Sequence, residues 1–193
     1  SKSLMWQDIL TGLLDYNYRG FEMNKHYEML TKDMKNAVGR NGTLDFIFDF
    51  NYHVSRVLEI KSEMGIRLTE AYKAGNIAVL EDFAKTQLPE LFGRVVTLRS
   101  VHRKYWFMLY KPFGWDIVDL RYGGLMARIT SAIEGINDYL CGRVDKIEEL
   151  EDEKNLLNSV ISKLSCRERQ IMQMRFGLNG YEEYKGDIDH ESF

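Results

Sequence analysis

Two carboxylates in the middle of the chain, Asp116 and Asp119, are the candidates for acid–base chemistry. They lie beside Trp115 and Arg121, and an apolar and a cationic neighbour together can separate two carboxyl pKa values. The same spacing is typical of the first turn of a helix, where carboxylates cap exposed N–H groups and complement the helix dipole. The sequence favours the capping interpretation and leaves the acid–base interpretation open.

The other residue types that carry chemistry do not fall into a catalytic pattern. The four histidines and two cysteines lack the spacing of a zinc site, and no glycine-rich loop or Gly-x-Ser-x-Gly turn is present. His53 and His102 lie on or near apolar helix faces, as interior histidines do. These patterns therefore predict no metal and no cofactor.

Aromatic residues crowd the segment 105–122, where lysine and arginine side chains lie among them. Aromatic faces next to hydrogen-bond donors suit sugar rings, and the same residue types are typical of protein interfaces. A plain aromatic core also produces such a cluster. The candidate ligand or interface residues are Trp106, Trp115, Asp116, Asp119, Arg121 and Tyr122.

Apolar residues at helical spacing predict the elements that position these side chains. With only two prolines in 193 residues, the chain is predicted to be all-α. We expect a mainly antiparallel bundle of about five or six helices, followed by a short extra helix and a mobile tail. Within the aromatic segment, Pro112 and Gly114 end one helix, Asp116 caps the next, and Gly123 and Gly124 allow close helix packing. The predicted helices are 4–16, 24–38, 45–73, 77–85, 89–110 and 117–150.

The composition of the chain argues against two classes of function, nucleic-acid binding and membrane insertion. The net charge is −3 and the pI is near 5.9, so the chain as a whole carries no basic field for nucleic acid. No apolar run approaches the roughly 20 residues of a membrane helix, so we expect no membrane partner. Two cysteines without a disulfide framework favour a reduced, cytoplasmic setting.

The block KPFGWDIVDLRYGG at 111–124 gives the chain a family resemblance. Together with the flanking helical segments, it resembles the C-terminal helical region of bacterial exo-β-N-acetylhexosaminidases of glycoside hydrolase family 20, over about residues 1–153. Enzymes of that family carry catalysis on an upstream (β/α)8 barrel, with an Asp-Glu pair in a His-x-Gly-Gly-Asp-Glu context. The sole Asp-Glu step here, at 152–153, lies in an acidic run, so no catalytic residue carries over.

This resemblance implies a non-catalytic domain that packs on the barrel, shapes the active-site rim and supports dimerisation. Its expected partners are the barrel of the parent glycosidase or a second copy of the chain, and glycan contact requires the barrel. Trp115 is then expected to be partly exposed, or covered by a second copy.

The end of the chain, 154–193, is predicted to be a separate unit. Within it, NSVISKLSCRERQIMQMRFGLNGYEE is similar to the start of region 4 of sporulation-type sigma factors. That resemblance implies a fusion or an unrelated extension, and an alternative function in binding DNA or RNA polymerase. A third hypothesis is a helical module that self-associates through exposed aromatic residues. The sigma-like residues are Arg167, Glu168, Arg169, Arg175 and Phe176.

Overall fold

The computed structural model describes residues 2–12 and 15–151. In this part of the chain all regular elements are helical, which confirms the predicted all-α class. The predicted extra helix and tail lie outside the described residues. The helices are α1 (Lys2–Trp6), α2 (Met23–Ala37), α3 (Asp45–Lys61), α4 (Met64–Lys73), α5 (Ile77–Asp82), α6 (Leu88–Leu109), α7 (Trp115–Leu140) and α8 (Glu148–Glu151).

Contacts between α3 and α6 give the direction of the bundle. Phe46 and Phe50, near the start of α3, pack on Tyr105 near the end of α6, with ring centroids 5.7 and 4.8 Å apart. At the other end of α3, Glu59 accepts a bond of 3.1 Å from Arg94, near the start of α6. The two helices are therefore antiparallel. Helix α2 also pairs with α3, and α6 with α7, across short connections, as the predicted bundle requires.

The core lies where these helices face one another. Its residues come from the predicted apolar stripes, and burial of this aliphatic surface supplies the main stabilisation of the bundle. Along α6, Leu91, Val95 and Leu98 are fully buried, whereas Leu109 at the end of the helix is 48% exposed. Fully buried members include Leu58, Met64, Leu68, Phe83, Leu91, Val95, Leu98, Ile129 and Ile136.

The predicted long helix at 45–73 is wrong, because it is divided into α3 and α4 at Ser62 and Glu63. Ser62 Oγ donates to Asn24 Oδ1 at 2.7 Å, and Glu63 Oε1 accepts the backbone N–H of Asn24 at 3.0 Å. The N-cap position of α2 is taken by Glu22, and Asn24, a residue type typical of N-caps, lies inside the helix. Tertiary hydrogen bonds have replaced the local cap that the sequence suggests.

Residues 2–12, here called the N-terminal arm, do not form the predicted helix 4–16. Helix α1 ends at Trp6, and Asp8 Oδ1 then accepts the backbone N–H groups of Leu10 at 2.9 Å and Thr11 at 3.0 Å. Such short-range bonds compete with helix continuation. The arm is held on α3 by Lys61, whose Nζ donates to the carbonyl oxygen of Leu4 at 2.8 Å.

Helices α5 and α6 are joined by a π-helical segment, Phe83–Gln87. The predicted break between 77–85 and 89–110 is therefore a change in helix type. Pro89 lies in the first turn of α6, as predicted. Its ring has no N–H and would clash with the carbonyl four residues earlier in an α-helix, so the wider π turn accommodates it.

The last predicted helix, 117–150, is also shorter than expected. Helix α7 ends at Leu140, and Gly142 follows with a φ of 68°. Its N–H donates to Tyr139 O at 3.0 Å, and the N–H of Arg143 donates to Asp138 O at 2.8 Å. This glycine-based termination reverses the chain.

Candidate functional site

The corner between α6 and α7, residues 110–114, is a tight and well-defined turn. Gly114 adopts a φ of 92°, and the N–H of Trp115 donates to Pro112 O at 3.2 Å. Trp106 Nε1 donates to Lys111 O at 3.0 Å, which fixes the turn against the end of α6. A Cβ at Gly114 would also lie 3.3 Å from the Trp106 ring, a tight contact, so both the positive φ and the approach of this ring favour glycine. The predicted helix break at Pro112 and Gly114 is confirmed.

Two details of the predicted corner are wrong. The N-cap of α7 is Gly114, and Asp116 is an exposed residue of the first turn without a capping hydrogen bond. Its charge still complements the positive end of the helix dipole. Gly123 and Gly124 are exposed, and a Cβ on either would meet no atom within 4 Å, so they do not mediate close packing within the described residues.

Behind the corner lies an aromatic cluster around His102, which is itself partly buried. Its ring packs edge-on against Trp115 at 5.5 Å between centroids, and lies 4.6 Å from Phe50. His102 Nδ1 is 3.0 Å from the hydroxyl oxygen of Tyr122. The Tyr122 ring also packs edge-on against Trp6 of the N-terminal arm, with ring centroids 5.1 Å apart. Desolvation lowers the pKa of His102 and raises the pKa of Tyr122. Both groups are therefore neutral at neutral pH.

The expectation that Trp115 is partly exposed is wrong, because only 7% of its surface is accessible. As the first residue of α7, Trp115 turns inward and is covered by His102, Trp106 and Phe107. Tyr122 is 1% exposed. These two candidates thus belong to the core of the corner, and the ligand or interface role predicted for them stays a prediction.

Asp119 is held by an ion pair between the two helices. The guanidinium of Arg99 donates through Nη2 to Asp119 Oδ2 at 2.8 Å and through Nε to Oδ1. This hydrogen bond lowers the pKa of Asp119 and raises that of Arg99. A carboxylate held ionised in this way is a poor proton donor, so the geometry favours a structural role over acid–base chemistry.

Around the corner, seven exposed apolar side chains recur between residues 107 and 120, and we call this set the corner face. Phe113, at the tip of the turn, is 93% exposed, and Leu120 on α7 is 72% exposed. Contiguous exposed apolar surface is typical of interaction sites. The corner face consists of Phe107, Met108, Leu109, Tyr110, Phe113, Ile117 and Leu120, all of which are exposed.

Sequence reasoning selected the inner half of this region and missed the outer half. It named Trp106, Trp115 and Tyr122, whereas Phe113 is the most exposed member of the corner face. The signal was present in the run YWFMLY at 105–110, which is apolar on every side of the helix. One helix stripe can bury only some of those side chains, so the remainder must face outward.

Two other kinds of site have no support within the described residues. Residues 2–12 and 15–151 contain no group of three or more side chains placed to hold a metal ion. Every helix in the same ranges falls short of the length or apolarity needed to cross a membrane. The sigma-like residues at 167–176 lie beyond the part of the chain that the structure describes, so the DNA or polymerase role stays a prediction.

A comparison with protein-family models identifies the family of the chain. The model described as the Glycoside Hydrolase 20C C-terminal domain matches residues 1–165. A search of curated proteins gave no match. The chain thus corresponds to the C-terminal domain of a family of glycoside hydrolases. It belongs to the Glycoside Hydrolase 20C C-terminal domain family, which confirms the resemblance to family 20. The match ends inside the segment that resembles a sigma factor, and the predicted boundary at 153 stays a prediction.

Proposed function

We propose that this chain is a docking domain that packs its corner face against the catalytic barrel of a family 20 β-N-acetylhexosaminidase. The observation that carries the proposal is the exposure of Phe113 on a turn fixed by Gly114 and Trp106. A rigid, protruding aromatic side chain loses little conformational entropy on binding and is a typical interface anchor. Glycan contact, in this proposal, arises only with the barrel present, at the rim that the corner supports.

The buried half of the corner serves this function indirectly. Trp106, Trp115 and His102 form a packed base under the turn, and the ion pair between Arg99 and Asp119 fixes α6 to α7. A preformed turn presents the corner face to a partner without further ordering. Arg121 and Asp116 are exposed beside it and contribute to its polar edge. A cytoplasmic setting, expected from the cysteine usage, stays a prediction.

The test uses the intact glycosidase that contains this domain, with Phe113→Ser as the variant and Phe21→Ser as its control. Phe21 is also exposed, at 64%, but lies before α2. Burying a phenylalanine is worth about 1.5–3 kcal/mol, or roughly tenfold or more in the docking equilibrium. We expect Phe113→Ser to speed hydrogen exchange in segment 107–117 and to lower hexosaminidase activity, whereas Phe21→Ser leaves both unchanged.

Equal exchange in the isolated chain and the intact enzyme would contradict docking through the corner face. Self-association through the same exposed side chains is the second candidate function. It predicts that the isolated wild-type chain is dimeric by light scattering at several concentrations, and that Phe113→Ser makes it monomeric. A dimer combined with unprotected corner segments in the intact enzyme would favour that candidate.

A further inference from the structure

Basic side chains surround the corner face. Residues 99–121 contain five basic and two acidic residues, a net charge of +3 in a chain whose net charge is −3. Of the two acids, Asp119 is already neutralised by Arg99. The net charge of segment 99–121 is therefore opposite in sign to that of the whole chain. Such an asymmetry indicates a partner with a negatively charged surface.

Three of these cations form what we call the cationic rim: Lys104, Lys111 and Arg121. All three are exposed, and none of them forms an ion pair with another described residue. Lys104 lies one helical turn before Met108, and Arg121 one turn after Ile117, so each shares a helix side with an exposed apolar residue. Lys111 lies in the turn itself, two residues before Phe113.

A fourth cation differs from the rim because it is engaged within the domain. The Arg103 guanidinium carbon lies 4.8 Å from the centroid of the Phe107 ring. This cation–π contact holds Phe107 at the edge of the corner face. The cations of the rim have no such contact among the described residues. Covering the corner face with an apolar partner alone would desolvate them without compensation, which is costly.

We propose that the barrel surface that receives the corner face is apolar at its centre and acidic at its edge, opposite Lys104, Lys111 and Arg121. The inference rests on the proposed docking function and adds the chemistry of the partner surface. Phe113 and its neighbours supply contact area, whereas the rim fixes the orientation of docking. Complementary charge acts in this way at interfaces, where it sets register and discriminates against wrong partners.

The experiment compares hydrogen exchange of segment 107–117 in the intact glycosidase at about 50 mM and about 500 mM NaCl, since added salt shortens the Debye length several-fold. The rim variant carries Lys104→Gln, Lys111→Gln and Arg121→Gln. Its matched control carries Lys35→Gln, Arg40→Gln and Lys73→Gln, three exposed cations elsewhere that also lack a described ion pair. The isolated chain serves as the unprotected reference.

We expect wild type and control to lose protection with salt, and the rim variant to exchange about tenfold faster already at low salt. A rim variant with wild-type protection and wild-type salt dependence would overturn the acidic-edge inference. If Phe113→Ser still speeds hydrogen exchange in segment 107–117 when the rim variant does not, the docking function stands without the acidic edge. If neither the rim variant nor Phe113→Ser loses protection of the segment, both the acidic edge and the docking function are rejected.

A cationic rim around apolar side chains is also the pattern of a surface that binds anionic lipid. The isolated chain should therefore be tested with vesicles of phosphatidylcholine containing phosphatidylserine. We expect no sedimentation with them. Binding by wild type that is lost in the rim variant would overturn the proposal in favour of a membrane surface.

Discussion

At the scale of single residues, the corner depends on a polar contact inside an aromatic environment. The Tyr122 hydroxyl and His102 Nδ1 lie 3.0 Å apart and form a hydrogen bond, with Tyr122 fully buried and His102 partly buried. Each would carry a desolvation cost if left alone. Because burial lowers the pKa of His102, the unfolded chain takes up a proton before the folded chain does as the pH falls. The stability that the neutral His102 contributes is therefore lost as the pH falls below the ordinary histidine pKa.

Tyr122→Phe tests this contact. The ring and its packing on Trp6 remain, but His102 loses its partner, so we expect the free energy of unfolding to fall by about 1–2 kcal/mol. Tyr139→Phe is the matched control, because the Tyr139 hydroxyl makes no hydrogen bond with a described residue. Chemical denaturation of both variants measures the difference. Equal stability of the two would show that the Tyr122 hydroxyl contributes nothing.

At the scale of elements, sequence periodicity located most helices but placed several of their ends wrongly. The ends that depend on local chemistry were predictable, as Pro112 and Gly114 show. The break at Ser62 was not, because it depends on Asn24, which is remote in sequence. The inward direction of Trp115 was not predictable either, since the first turn of α7 is oriented by a turn whose φ at Gly114 is 92°.

Arg128 is the residue through which α7 holds two other elements. Its Nε donates to Asp8 Oδ2 in the N-terminal arm at 2.5 Å, and its Nη2 donates to Glu149 Oε1 in α8 at 2.7 Å. Burial pushes the pKa of Asp8 up, but the bond from Arg128 and the backbone N–H donors bring it below its ordinary value. One guanidinium thus joins the beginning of the domain to its α8 end.

We predict that Arg128→Met loosens both elements together. Hydrogen exchange should accelerate in residues 2–11 and in 147–151, with a loss of about 1 kcal/mol because the ion pairs are partly exposed. Arg143→Met is the control, since Arg143 pairs with Asp138 on the same stretch of chain but contacts neither element. Acceleration in only one of the two segments would show that they are held independently.

At the scale of the whole molecule, stability should depend on pH through a buried lysine. Lys61 is 4% exposed, and desolvation lowers its pKa to about 8, opposed by the charges of Asp15 and Asp8. Between about pH 8 and the ordinary lysine pKa near 10.4, the unfolded chain keeps this proton and the folded chain releases it. The contribution of Lys61 to stability therefore increases with pH across that window.

Lys61→Met should abolish this increase. A shift of one pKa unit corresponds to about 1.4 kcal/mol, so the difference in unfolding free energy between wild type and variant should change by about 2–3 kcal/mol between pH 8 and pH 10. Urea denaturation at several pH values measures that difference, and subtracting the variant removes the titration of the tyrosines. Parallel curves would mean that Lys61 titrates at its ordinary pKa.

The π-helical segment Phe83–Gln87 determines which way the corner faces. An α-helix turns about 100° per residue, so shortening this segment by one residue to restore regular pitch would rotate α6 by roughly a quarter of a turn. Leu91, Val95 and Leu98 would leave the core, and the corner face would point to a different side of the domain. The segment acts as an angular spacer, and a homologous domain that lacks it would have to present its partner-binding residues from another helix position.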